Sequence, residues 1–181
     1  VTRANLIKAD IWAKVIWGDI GRPDTLAADL KDDYNIALQD LLNVRTFLDH
    51  NRIWEVPKNK HNTVSASTGA YVSGGERLNN NDVEASLLEH LQKWKPFVEK
   101  FGLLIIELHT ISSELTSENL GKTAATAYDA THGYSDQYIL EVDVFRTAAL
   151  NAGLTPDDKH FVRFPDSELA TVSINLLKGT I

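Results

Sequence analysis

Apolar residues recur three and four positions apart along most of this 181-residue chain, and that spacing constrains the fold more than any other feature. Leu6, Ile7, Ile11, Trp12, Val15, Ile16 and Ile20 form a first stripe, which Gly21-Arg22-Pro23-Asp24 interrupts. Asp24 or Thr25 suits the N-cap of a second helix, because a short side-chain oxygen satisfies an amide left open by the first turn. That helix aligns Leu26, Leu30, Tyr34, Ala37, Leu38, Leu41, Val44 and Leu48, and ends between Asp49 and Trp54. Asn81-Asp-Val-Glu84 reads as a variant capping box with Asn81 as the cap. Val83, Leu87, Leu91, Trp94, Val98 and Phe101 follow on one face, with Pro96 as a kink or a new start. Leu104, Leu108, Ile111 and Leu115 continue the stripe; a buried strand over 103–108 is the alternative, since period alone cannot assign a short apolar run. Ser135 caps a helix through Tyr138, Leu140, Val142, Phe145, Ala148 and Ala149, closed by Gly153. Short helices start at Thr155-Pro-Asp-Asp158 and Pro165-Asp-Ser-Glu168, the last closed by Gly179.

The expected fold is therefore all-α: an antiparallel bundle of four main helices with short C-terminal helices, one domain over residues 1–181. A long polar loop fills 57–80, with a short hairpin through Thr63–Val72 as an alternative for part of it. Loops of that length are often functional, so contact function is expected there. Residues 116–134 read as a loop holding a weak helix.

Several chemistries are excluded or disfavoured by composition. There is no Cys, which removes disulfides, thiolate metal sites and cysteine nucleophiles, and there is no Met. No apolar run approaches the length of a membrane helix, and no targeting segment is visible at the start. The net charge of −7 disfavours a nucleic-acid backbone as partner.

Gly121-Lys122-Thr123 resembles the end of a phosphate loop, but Thr116 stands where its first glycine belongs. Counting from Asp129, Gly133 and Glu141 each miss the calcium-loop positions by one. Asp129-x-x-His132 has the i,i+3 spacing of a bundle metal pair, with Glu107, His109, Asp136 and Glu141 as further donors, yet a second such pair is missing. His90 and His160 have no recognisable partner in sequence. Of the four tryptophans, Trp12 and Trp94 fall on core stripes, whereas Trp17 and Trp54 fall near helix ends.

Tyr34-Asn35, Leu38, Leu41 and Asn51-Arg52-Ile53-x-Glu55-Val56 resemble the radial helix and inner-loop entry of coat proteins from rigid rod-shaped plant viruses. Val162-Arg-Phe-Pro-Asp-Ser167 is similar to a segment that precedes the radial helix in that family, although here it follows it. The resemblance implies a four-helix subunit that assembles on RNA, with Arg52 near the nucleic acid.

The function expected from these readings is non-catalytic: self-assembly, protein interaction or apolar ligand binding, including a filament or coat-type structural subunit. Trp17, Arg52 and Trp54 are the candidate ligand or interface residues. No cofactor is indicated. The alternative is a metal-binding helical-bundle enzyme or carrier that uses Asp129 and His132.

Overall fold

A computed structural model describes residues 1–59 and 64–179, and it is a mixed α/β structure rather than an all-α bundle. In chain order its elements are α1 (Thr2–Lys8), α2 (Pro23–Tyr34), β1 (Asn43–Thr46), β2 (Val72–Ser73), β3 (Glu76–Arg77), α3 (Asn80–Val98), β4 (Leu103–Leu108), α4 (Ser113–Glu118), α5 (Ala125–Thr131), α6 (Val142–Asn151), β5 (Leu154–Pro156), β6 (Val162–Phe164) and β7 (Val172–Gly179). Part of the expected 57–80 loop, and the start of the hairpin expected over Thr63–Val72, lie outside the described residues. The hairpin that forms is β2–β3, turned by Gly74 and Gly75 at φ 57° and 86°, where glycine carries no Cβ penalty.

Five strands make one sheet in the order β1-β4-β7-β5, with β6 also paired to β7. β1 runs parallel to β4, and β7 runs antiparallel to β4, β5 and β6. The parallel pair needs a crossover, and α3 supplies it. Asn79 caps α3 by accepting from Asn81 N (2.9 Å), two residues before the expected cap. Pro96 lies inside the last turn, and α3 ends at Val98 rather than running on. Gly102, at φ 87°, then donates its amide to Val98 O (2.8 Å) and turns the chain into β4.

Three expected helices are strands or extended chain, and the residue chemistry shows why. Leu103-Leu-Ile-Ile-Glu-Leu108 is short, rich in β-branched residues and follows a glycine turn. Val172-Ser-Ile-Asn-Leu-Leu alternates with period two, and its burial alternates with it. Residues 136–141 form no helix: Asp136 takes φ 48°, and Glu141, the N-cap of α6, is extended. The expected second helix stops at Tyr34, where Asn35 takes the left-handed conformation at φ 54°. Leu41, Val44 and Leu48 consequently lie exposed instead of on a core stripe. The first stripe forms only the short α1, which buries nothing; Trp12, expected in the core, is 99% exposed.

Helices α3 and α6 pack on one face of the sheet. α3 contributes Val83, Leu87, Leu91, Trp94 and Val98 to the core, and α6 contributes Val144, Phe145, Ala148 and Ala149. That covered face is partly polar: Asn43, Arg45, Glu107, Ser173 and Asn175 are buried in it beside Leu103, Ile105 and Leu177. A polar set buried under helices must satisfy its hydrogen bonds internally; Asn43, Glu107, Ser173 and Asn175 do so, whereas Arg45 Nε and Nη2 have no hydrogen-bond partner among the described residues.

Candidate functional site

Glu107 is the centre of the site. It occupies the penultimate position of β4, is 2% exposed, and has four donors directed at it. Its Oε2 accepts the backbone amides of Asp49 (2.7 Å) and His50 (3.3 Å). Its Oε1 accepts Leu108 N (2.7 Å) and pairs with His50 Nδ1 at 2.5 Å. The 3-10 turn Asp49–Asn51, just past β1, is thus wrapped around a carboxylate supplied by the neighbouring strand. A carboxylate so placed accepts the Nδ1 proton and leaves the Nε2 lone pair of His50 as the acceptor.

That lone pair faces Asn51 Nδ2 at 2.8 Å. The amide orientation is set by its other contacts, because Gln137 Nε2 donates to Asn51 Oδ1 (2.8 Å) while Asn51 Nδ2 also points at Phe47 O (3.3 Å). Tyr138 N donates to His50 O (2.8 Å) and ties the turn to the segment before α6. Phe47 and Asp136 both sit at positive φ, 55° and 48°, on either side of this contact. Strained backbone of this kind persists where the surroundings over-determine it, and functional sites are a common location.

Behind the dyad lies a charged cluster. Asp49 Oδ1 pairs with Arg45 Nη1 (3.1 Å) and His90 Nε2 (3.1 Å), and all three residues are buried. Burial pushes the Asp49 carboxyl up, but Arg45, His90 and Arg52 together hold it below the ordinary range. Burial lowers Arg45 and His90, each only partly offset by Asp49. Arg52 donates to Asp49 O (3.0 Å), Val83 O (2.9 Å) and Ser86 Oγ (3.4 Å), and burial brings it down to about 10. These bonds fix the Asp49–Arg52 segment to α3.

Two recesses meet at Asn51–Ile53. One, of about 270 Å³, lies between Asp19–Arg22, Asn51–Ile53 with Glu55, and Ser86–Lys93 of α3. The other, of about 430 Å³ and more open, is bounded by Asn51–Trp54, Ser73, Ser135, Asp136 and Tyr138. Asn51 is therefore on the wall shared by both, and His50, 4% exposed, lines neither.

The residues singled out from sequence are scattered with respect to this site. Arg52 belongs to it, as a buried anchor rather than an exposed contact. Trp54 lines the open recess and is half-buried against Tyr138, ring centroids 5.5 Å apart. Trp17 is 78% exposed on the N-terminal arm, away from both. Asp129 Oδ1 lies 3.9 Å from His132 Nδ1, and no group of three potential metal ligands occurs among the described residues. His132 is fully buried, stacks on Tyr71 and accepts Ile139 N (3.2 Å); burial lowers it to about 4. Gly121-Lys122-Thr123 forms a turn between α4 and α5 with no strand before it.

Sequence reasoning missed His50 and Asn51. The signal was Asp49-His50-Asn51 two residues after Asn43-Val-Arg-Thr46, a charged and polar triplet following a short strand-like segment. Reading that run as helix hid it.

None of the curated proteins compared matches the chain. The family model described as AprA MT2-like domain, a methyltransferase model, matches residues 1–175. This overturns the non-catalytic structural reading and stands closer to the enzymatic alternative. It also replaces the coat-protein resemblance, whose expected radial helix is broken here into α2, β1 and the turn around Glu107. With a parallel strand pair, a crossover helix and a His50–Glu107 pair at the strands' carboxyl ends, the chain belongs to the AprA MT2-like family of methyltransferase domains.

Proposed function

We propose that the domain transfers a methyl group and that His50, held by Glu107, is the base that takes the proton from the acceptor. The observation that carries this is the 2.5 Å contact of His50 Nδ1 with a carboxylate already pinned by three backbone amides. A bound methyl donor supplies an electrophilic carbon; the acceptor must present an electron pair, and for most acceptors a proton must leave first. His50 Nε2 accepts that proton, and Glu107 stabilises the imidazolium that results, as a carboxylate does beside any catalytic histidine. Ligand sites in open α/β sheets lie beyond the carboxyl ends of the strands, which is where this dyad sits.

The recess beside α3 fits a cationic sulfonium donor, because Asp19, Glu55 and Glu89 line it. Arg22 on the same wall gives a counterpart to a carboxylate group on such a donor, while Lys93 there is paired with Glu55 at 2.9 Å. The open recess by Trp54 and Tyr138 then receives the acceptor, and its aromatic wall suits an acceptor with an apolar portion.

The test is product release from S-adenosylmethionine across a panel of hydroxyl, amine and carbon-acid acceptors, followed by variants. His50→Ala and Glu107→Gln are expected to lower the rate about 100-fold or more, the usual weight of a general base. Melting curves separate this from unfolding. Undiminished transfer by both variants would show that the base lies elsewhere.

A further inference from the structure

We propose, resting on the reading of the open recess as the acceptor site, that the Tyr138 hydroxyl holds the acceptor there and selects an uncharged, hydrogen-bond-accepting group. Tyr138 is 1% exposed, yet its hydroxyl has no hydrogen-bond partner among the described residues. Burial pushes the phenol up, and the groups that act on it are Ser73, Asp136 and Arg52, all three of which line the recess. The hydroxyl therefore lies at the recess wall. Ser73 stands near it without reaching hydrogen-bonding geometry. A covered donor with nothing to donate to is costly, and such groups usually mark a ligand, an ordered water or a catalytic role.

The direction of the hydroxyl is fixed from both ends of the residue. Arg52 lies over the ring, 5.3 Å from its centroid, and Trp54 packs against it at 5.5 Å. Tyr138 N donates to His50 O (2.8 Å), which ties the backbone to the turn that carries the base. A ligand bonded to Tyr138 is thereby held on the same wall as Asn51.

Charge narrows what that ligand can be. The charged residues that line the recess are Arg52 and Asp136. Arg52 is buried, and its Nε, Nη1 and Nη2 already donate to Ser86 Oγ, Asp49 O and Val83 O. Asp136 is exposed, at φ 48°, and its Oδ1 accepts Gly74 N at 3.3 Å. An anionic head group thus meets a carboxylate, with no uncommitted cation on the wall to offset it. A phenol that keeps its proton acts first as a donor, so a neutral oxygen suits it better than an ammonium. The apolar end of the ligand then lies toward Trp54 and Ile53, the latter 79% exposed.

Phenylacetamide, phenylacetate and phenethylamine share an apolar end and differ in head charge, and they test this. Their dissociation constants are read by NMR titration, with the Ser73, Asp136 and Tyr138 amides as reporters. No methyl donor is added, so the result is independent of whether transfer occurs. The amide should bind about fivefold tighter than either charged probe. Tyr138→Phe should weaken the amide about fivefold, the scale of one hydrogen bond. Its melting temperature should be unchanged or higher, because no bond within the protein is lost. Asp136→Asn should tighten phenylacetate and leave the amide as it was. Tightest binding by either charged probe overturns the proposal. So does a Tyr138→Phe protein that binds the amide as well as wild type or melts lower, and so do probes that shift none of the reporters. Absence of methyl transfer in a protein that binds the amide in this way would count against the catalytic reading and leave the ligand site standing.

Discussion

In the proposed mechanism Asn51 decides whether His50 can act. A neutral imidazole has one lone pair, and here an amide N–H occupies it. Asn51 is exposed and Gln137 is half-buried, so water or an acceptor group can replace the amide at small cost. Asn51→Ala should therefore raise the rate at which diethyl pyrocarbonate modifies His50 by several-fold, read by mass spectrometry, with melting changed by no more than about 1 kcal/mol. Unchanged labelling of His50 would mean that something other than Asn51 shields it. The residue types of the site were visible in the sequence, since Glu107 was among the possible donors and Asp49-His50-Asn51 is a conspicuous polar triplet. Their meeting was not, because Glu107 lies more than fifty positions from His50 and only strand pairing joins them.

At the level of elements, the passage from α3 into β4 depends on one backbone conformation. Gly102 has φ 87°, and a Cβ there would stand 2.9 Å from Leu177 O and 3.0 Å from a Leu176 methyl. Both contacts belong to β7, so the clash would be felt across the sheet. Gly102→Ala should destabilise the protein by about 2 kcal/mol or more, combining the left-handed penalty with displacement of a strand. A shift in the urea midpoint measures it, and an unshifted midpoint would contradict the role given to this turn. The helices α2, α3 and α6 were legible from apolar spacing, but their caps and ends were not: the N-caps are Arg22, Asn79 and Glu141. Reading β1 and β7 as helix followed from treating i,i+3 and i,i+4 coincidences as evidence in segments where a period of two fits as well.

For the whole molecule, buried histidines set the response to acid: His90, His109 and His132 are all lowered by burial. Burial lowers both His109 and His132 to about 4. His109 donates from Nδ1 to Leu140 O (3.0 Å) and accepts Ser173 Oγ (2.6 Å), an arrangement that needs the neutral ring. In the unfolded chain both titrate near 6.5, so between about 6.5 and about 4 the unfolded state binds more protons. Stability is fully present above about pH 6.5 and declines as pH falls toward 4, with a limiting slope of about 2.7 kcal/mol per pH unit for two protons. Asp129, raised by burial, opposes this in part, because its protonation on acidification favours the folded state. Asp49, held low, adds its own loss only below the ordinary carboxylate range. Urea midpoints at closely spaced pH values should show the fall, and a flat profile down to about pH 4.5 would refute it.

By itself the sequence determined the local preferences: roughly where α2, α3 and α6 lie, that the chain has no cysteine chemistry, and that no helix among the described residues is long and apolar enough to cross a membrane. Only the tertiary structure decided that Val44, Ile106 and Ile174 share an open face while Arg45, Glu107 and Asn175 lie under helices. Helix periodicity is a property of neighbouring residues, and it can be read from one segment alone. Strand pairing and the burial of a polar face are settled between distant segments. The turn at Asp49–Asn51 closes on Glu107 because β1 and β4 pair in parallel through α3, and no spacing within either segment encodes that pairing.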